Sequence, residues 1–384
     1  MRKICVVTAT RAEYGLLKPL MDSLHKSEEF CLQVLATGAH LSPEFGLTYQ
    51  QIEKDGFKID EKVEILLSSD TPSSICKTMG LAMIGLADAF SRLKPDLLVI
   101  LGDRYEMLAI ASAAVIFKIP IAHLHGGEIT EGAYDDAIRH AITKLSNLHF
   151  TSTAEYRNRV IQMGESPDHV FNVGAIGLDN IRTMKLLSKE ELEKELDIRF
   201  KRHNYQVTFH PETLSELSSK EQFQILLNSI EKEEDSFFIF TKANADTDGR
   251  IINQMIDAFV NKYPYKAKVF TSLGSLRFLS TVKICDAIIG NSSSGILEAP
   301  SLHTATINIG DRQKGRIQAE SIINTPCCEE SISKAFKYVK SQDFEKRMVD
   351  ISNPYDSGGT VAKVMAQIVK TELFNKHKNF YDLK

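Results

Sequence analysis

The chain has no glycine fingerprint where a dinucleotide-binding protein would carry one. Its first strand pattern, residues 4–8, runs into Thr8-Ala9-Thr10-Arg11-Ala12-Glu13-Tyr14-Gly15. No G-x-G-x-x-G lets a pyrophosphate approach the backbone there, which disfavours an NAD-dependent reaction, and there is no P-loop either. No stretch reaches the ~18 apolar residues of a membrane span. Met1-Arg2-Lys3 opens straight onto the strand pattern, with too few apolar residues for a signal peptide. A soluble, cytoplasmic protein without a membrane partner is expected. Excess positive charge is missing too: the net charge of -4 argues against nucleic acid as a partner, which needs a cationic surface. The six cysteines include no pair at zinc-ribbon spacing, although Cys327 and Cys328 are adjacent. Scattered reduced thiols are the expectation.

What remains is an ordinary globular composition, 43% apolar and 25% charged over 384 residues. That length exceeds what one hydrophobic core supports, so two domains are the default. Short apolar runs alternate with helical patterns. Residues 4–8, 32–37, 96–101, 119–123, 149–152 and 170–173 read as strands, and 16–26 and 75–93 as helices. A charged stretch over 187–204 reads as a solvated helix and a connection. The alternation then restarts at 205–209, 237–240, 268–271, 287–290 and 305–309. Such alternation implies doubly wound parallel sheets. The expected domains are 1–185, 186–360 and a C-terminal helix and tail over 361–384 packing back on the first.

Ligands of open parallel sheets bind beyond the carboxyl ends of strands. The segments there are TATRAEYG (8–15), GDRYE (102–106), HLHGGE (123–128), HPET (210–213), NADTD (244–248), GNSSSG (290–295) and GDRQKGR (310–316). GNSSSG before a helical run could grip an anion with backbone N–H groups and the hydroxyls of Ser292, Ser293 and Ser294, or one serine could simply cap the helix. Glu298 could accept from ribose hydroxyls or be a solvated side chain. Arg11, Arg104 and Arg312 each follow a strand, where a guanidinium fork suits phosphate. Asp103 ends a buried strand and suits general acid–base work, unless it pairs with Arg104 or caps the next helix. His210 could donate a proton or bind phosphate. The densest cluster holds His123, His125, Glu128, Glu131, Asp135 and Asp136, with Arg139 and His140 close behind. A metal site of His123, His125 and Glu128 is weighed against acid–base chemistry and disfavoured. His123 reads best as a hydrogen-bonded core residue.

Together TATRAEYG, LGDRYE, HLHGGE, DDAIRHAITK, FHPET, GNSSSG and INIGDRQKGR resemble, in order and over nearly the whole chain, the UDP-N-acetylglucosamine 2-epimerase family. The resemblance implies an α/β architecture of two Rossmann-like domains of glycosyltransferase-B type, with the active site in the interdomain cleft. Non-hydrolysing members carry Gln-His-Arg-Glu-Met after the second strand. Here the segment reads Thr37-Gly38-Ala39-His40-Leu41-Ser42, similar to the hydrolysing branch that serves nonulosonic acids. By matching motif, Asp103 and Asp135 resemble the catalytic carboxylates. His210, Arg11, Arg104, Asn244, Ser292, Ser293, Glu298 and Arg312 match positions that hold the nucleotide diphosphate, and His40 joins the substrate-binding set. Many relatives read H-x-E-G-G-E, so His125 replaces a glutamate, and either it or Glu128 or Glu131 takes the proton-transfer role.

The reaction implied is elimination of the nucleotide diphosphate to a glycal, followed by addition of water. It needs no hydride carrier, and no cofactor or metal is expected. The partner is a nucleotide-sugar substrate, and a homo-oligomer, dimer or tetramer, is implied. Nucleotide-linked N,N'-diacetylbacillosamine, on GDP or UDP, is favoured as substrate over UDP-N-acetylglucosamine. A glycosyltransferase and a non-enzymatic nucleotide-sugar binder are the rival readings. The acidic cluster favours elimination over both.

Overall fold

Continuously apolar runs become strands covered on both faces. Leu97–Leu101 (LLVIL) is buried at every position, as a strand inside a parallel sheet must be. The computed structural model describes residues 1–383 apart from 68, 70, 132, 213–214, 216, 244–247 and 372–377. Contacts divide the chain into two units. The first is Met1–Glu128 with Asp135–Asn180 and Tyr355–Lys384, and the second is Ile129–Tyr134 with Ile181–Pro354.

The first unit is built on β1 (Arg2–Thr8), β2 (Phe30–Thr37), β3 (Glu61–Val63), β4 (Leu97–Leu101), β5 (Ile121–Leu124), β6 (Leu148–Thr151) and β7 (Val170–Asn172). They form one seven-stranded sheet in the order β3-β2-β1-β4-β5-β6-β7, with parallel pairing throughout. The order reverses between β1 and β4. Such a switch point opens a crevice, because the connections leave for opposite faces of the sheet. The helix Arg11–Lys26 follows β1 and starts earlier than its apolar period suggests. Thr10 and Glu13 form a reciprocal capping box that fixes its first turn. The helix Thr360–Lys370 adds Val361, Val364 and Ile368 to the core that Leu17, Leu20 and Val99 share in this unit.

The second unit repeats the plan with β8 (His203–Thr208), β9 (Ser236–Thr241), β10 (Ala267–Phe270), β11 (Ala287–Gly290), β12 (Ala305–Ile309) and β13 (Ile322–Thr325). Their order is β10-β9-β8-β11-β12-β13, again all parallel. This is the doubly wound order, with its switch point between β8 and β11. The expected pair of Rossmann-like folds is therefore present. Sequence reading did not anticipate β3 and β13. Glu61–Val63 is three residues with a charged pair, and Ile322–Thr325 has two partly open positions, so neither shows a sustained apolar run.

Candidate active site

In the first unit a single arginine ties the acidic segments together. Arg139 lies in the helix Asp135–Leu145, one turn after Asp135 and on the same face. It is 2% exposed. Its Nη2 donates to Asp103 Oδ2, and its Nη1 donates to Glu128 Oε2 at 3.3 Å. Asp103 thus pairs with Arg139, and not with Arg104 as sequence proximity suggested. Nor does Asp103 cap a helix, since Arg104 stands at the N-cap of Tyr105–Ile116 without a side-chain cap bond.

Glu128 is buried and receives two further donors on Oε1: Ser152 Oγ at 2.7 Å and His125 Nδ1 at 2.9 Å. The other ring nitrogen of His125, Nε2, accepts from the Ile176 backbone N–H at 3.2 Å. A nitrogen that accepts carries no proton, so His125 is the neutral Nδ1–H tautomer. Both nitrogens are used, and its backbone sits in the left-handed region at φ 66°, a cost that this bonding offsets. His125 therefore orients Glu128, and it has no nitrogen left for a substrate proton. Glu131 groups with the second unit instead. Its N–H donates to Lys314 O at 3.4 Å, and its carboxylate stands 3.9 Å from Lys314 Nζ.

His123 is the core residue expected. It is fully buried, with Nε2 on Gly102 O at 2.7 Å and Nδ1 on Thr143 Oγ1 at 3.2 Å. Burial brings its pKa down to about 3. His40, expected among the substrate-binding residues, has the same character. It is fully buried, Nε2 meets Thr8 Oγ1 at 2.9 Å and Nδ1 meets Thr48 Oγ1 at 2.8 Å. Burial lowers its pKa to about 4. It braces β1 against the turn after β2, and neither ring nitrogen is open to a ligand.

At the β1–β4 switch point the structure adds two carboxylates that sequence reading missed. Glu106 is fully buried and accepts from Arg104 Nε and Nη2, both at 3.2 Å. Glu13 lies 3.9 Å from Arg104 Nε and takes the N–H groups of Ala9 and Thr10 on Oε2. Burial, with Glu106 opposing Arg104, raises the Glu13 pKa to about 7. Arg104, expected on the diphosphate, is thus engaged by carboxylates. Arg11 opens the first helix beside them. The signal available in sequence was the i, i+2 spacing of Arg104 and Glu106 after a buried strand.

In the second unit the residues after β8, β11 and β12 converge on Asn291. This fully buried side chain clasps the backbone of His210 twice. Its Oδ1 accepts from His210 N at 2.7 Å, and its Nδ2 donates to His210 O at 2.9 Å. The Asn291 carbonyl in turn accepts from Arg312 Nη1 at 3.2 Å and Gln313 Nε2 at 2.7 Å. Buried Glu212 adds a further tie by accepting from Asp311 N at 3.1 Å, and burial raises its pKa. His210, Ser292, Ser293 and Arg312 therefore share one rigid neighbourhood.

GNSSSG feeds only the single turn Ser294–Leu297 and a following 3-10 turn. A full-length helix dipole is absent, so hydroxyls, N–H groups and Arg312 must carry any anion grip. Ser293 at the N-cap makes no side-chain cap bond, whereas Ser292 Oγ accepts from the Ser294 N–H at 3.3 Å. The terminal glycines answer to packing. A Cβ on Gly290 (φ 127°) would lie 2.0 Å from Thr208 O, and one on Gly295 would lie 2.6 Å from Thr306 Cγ2. Glu298 is buried, contrary to a solvated glutamate. Asn244 lies outside the described residues.

Among the described residues no group of three or more His, Cys, Asp or Glu is arranged to hold a metal ion. Among the described residues no helix is long and apolar enough to cross a membrane. The model of the family described as UDP-N-acetylglucosamine 2-epimerase matches residues 22–369. The chain belongs to this family. Relatives span its whole length. It is 46% identical over 384 residues, 100% of this chain and 99% of the other, to a GDP/UDP-N,N'-diacetylbacillosamine 2-epimerase (hydrolyzing) of Campylobacter jejuni. It is 39% identical, over 100% of this chain and 98% of the other, to the polysialic acid biosynthesis protein P7 of Escherichia coli. The fold matches that of a UDP-GlcNAc 2-epimerase from Neisseria meningitidis bound to UDP-GlcNAc, with a TM-score of 0.78 and 18% identity over 96% of this chain and 100% of the other.

Proposed function

We propose that this 2-epimerase family member is a hydrolysing enzyme of N,N'-diacetylbacillosamine carried on GDP or UDP. It releases 2,4-diacetamido-2,4,6-trideoxymannose and the nucleoside diphosphate. The observation that carries this reading is the 46% identity, end to end, to an enzyme of that name. The chemistry of the two clusters supports it.

Inversion at carbon 2 without a hydride carrier requires loss of the C2 proton and of the diphosphate from C1, giving a glycal. Water then adds at C1 while a proton returns to C2 on the opposite face. Asp103 and Asp135 supply the proton-transfer carboxylates. Arg139 holds the Asp103 carboxylate in place through its bond to Oδ2. Glu128, held by three donors, is the fixed anion that aims Arg139 and His125, and it takes no proton itself. On the nucleotide side, Ser292, Ser293 and Arg312 hold the departing diphosphate, His210 protonates or binds it, and Glu298 reads the ribose. Arg11 and Asn244 contact the nucleotide diphosphate, and Arg104, already held by Glu106, adds its positive charge beside it. The protein works in the cytoplasm on this reading.

The test is incubation with both candidate sugars on UDP and on GDP, in heavy water, with products identified by NMR. Free 2-epimerised bacillosamine sugar with deuterium at carbon 2 is expected. A product without deuterium rules out elimination, and transfer of the sugar to an added acceptor identifies a glycosyltransferase. The E. coli relative, named for polysialic acid biosynthesis, favours a second substrate. Release of N-acetylmannosamine from UDP-N-acetylglucosamine as the faster reaction would establish it.

A further inference from the structure

The turn that follows β7 reaches the acidic cluster of the first unit through one backbone N–H. Ile176 donates to His125 Nε2 at 3.2 Å, and His125 Nδ1 stands 2.9 Å from Glu128 Oε1. A turn can aim an N–H only as firmly as its own backbone is held. The sheet holds this one as far as Val173, whose N–H donates to Thr151 O at 2.9 Å. Beyond that point the backbone is tied to residues 355–360, which belong to the same unit and lie far along the chain.

Both polar groups of Ala175 take part. Its N–H donates to Tyr355 O at 3.0 Å, and its carbonyl lies 3.4 Å from Thr360 Oγ1. Thr360 Oγ1 also lies 3.0 Å from Val173 O, so its single proton is shared between the two carbonyls with the nearer one favoured. Ser357 Oγ donates to Val173 O as well. The contact is reciprocal. Asp179, just past the turn, accepts from Thr360 N at 3.1 Å and Val361 N at 2.6 Å, where the helix Thr360–Lys370 opens and a carboxylate is favoured. The two backbones meet without spare room, since a Cβ on Gly174 (φ 90°) would run into Ser357 Oγ. Thr360 and Ala175 are each 1% exposed and Ile176 is fully buried, so water cannot stand in for a lost donor.

We propose that Thr360 is a positioning residue of the proton-transfer cluster, acting through residues 173–176 to hold the His125 ring against Glu128. An imidazole bonded at both nitrogens can neither turn nor take a second proton, whereas one bonded at Nδ1 alone can do both. Glu128 in turn holds Arg139, which bonds Asp103, so a loosened His125 ring is felt at Asp103. The effect on rate rests on the catalytic reading of Asp103. The effect on the His125 ring does not.

Thr360→Val keeps the shape of the side chain and deletes the shared proton, while Thr360→Ser keeps the hydroxyl. Measured below the thermal midpoint of each variant, Thr360→Val should lower kcat about tenfold and leave KM within about twofold, and Thr360→Ser should restore most of the rate. A double-mutant cycle with His125→Asn, a residue that tolerates positive φ, tests the route. On that background Thr360→Val should cost less than about twofold more, because residues acting through one another are not additive. In NMR of the labelled protein, Thr360→Val should speed solvent exchange of the Ile176 amide about tenfold or more and shift the His125 Nε2 resonance, and Thr360→Ser should reverse both. Fully additive losses in the cycle, a serine variant as slow as the valine one, or unmoved Ile176 and His125 signals would each overturn the proposal. A normal rate in Asp103→Asn would instead overturn the catalytic reading, and the NMR response alone would then decide whether Thr360 holds the His125 ring.

Discussion

Arg139 Nη2 is bonded to Asp103 Oδ2, although 36 residues separate the two. The contact joins the end of β4 to the helix that opens on Asp135. Removing the cation leaves buried Glu128 and the partly open Asp103 facing each other without it. Arg139→Met should lower kcat by about 10²–10³-fold and cost about 3 kcal/mol or more of stability, the usual penalty for stranding a buried charge. Arg139→Lys should recover folding but only part of the rate, because an ammonium lacks the fork that reaches two carboxylates. Steady-state kinetics beside chemical denaturation separates the two effects.

Asp103→Asn and Asp135→Asn each keep size and hydrogen bonding but lose the base. Turnover should fall by about 10²–10⁴-fold, with nucleoside diphosphate still bound when measured by calorimetry. Near-normal rates in both would remove these carboxylates from the mechanism.

The second-unit turn separates folding from binding. Gly290→Ala drives a Cβ against the Thr208 carbonyl and should cost about 3 kcal/mol or more. Ser292→Ala and Ser293→Ala fall on half-buried positions. Each should leave the thermal midpoint nearly unchanged and raise KM about tenfold, the value of one hydrogen bond to a charged group.

Buried histidines set the acid side of the stability curve. His40 and His123 titrate near 4 and 3 in the fold against an ordinary 6.5. The unfolded chain therefore binds more protons between these values, and stability is complete above about 6.5 and is lost as pH falls toward 4. Glu13 runs the other way. Its pKa is raised from 4.5 to about 7, so the folded form holds the extra proton and its contribution is lost as pH rises through 7. Glu13→Gln should stabilise the protein by about 1–3 kcal/mol at pH 8 and steepen the acid loss. Urea unfolding at a series of pH values checks both signs.

The C-terminal segment also stabilises the helix that carries Asp135. Lys378 Nζ donates to the carbonyls of Lys144 and Ser146, both at 2.6 Å, and pairs with Glu165 at 2.8 Å. Lys378→Met should cost about 1–3 kcal/mol through the acceptors left at that helix end. An unchanged midpoint in thermal unfolding would show that water replaces the ammonium without loss.

The sequence by itself determined the fold class and the positions where chemistry gathers. A doubly wound sheet writes itself as alternating apolar runs and helical periods, and the residues proposed here to act on the ligand follow the strands, as Asp103, His210 and residues 291–295 do. Residue type also sufficed for His123, an isolated histidine inside an apolar strand. Tertiary structure alone decided which charged groups face each other. Nothing local distinguishes Arg139 from Arg104 as the partner of Asp103, or shows that His40 and His125 spend both nitrogens on neighbours. It alone made Asn291 the tie between His210 and Arg312, and Gly290 a demand of Thr208. Hydrophobic period is a property of adjacent residues, legible along the chain. Pairing of polar groups is set by distances between strands far apart in sequence, and those exist only once the sheets have formed.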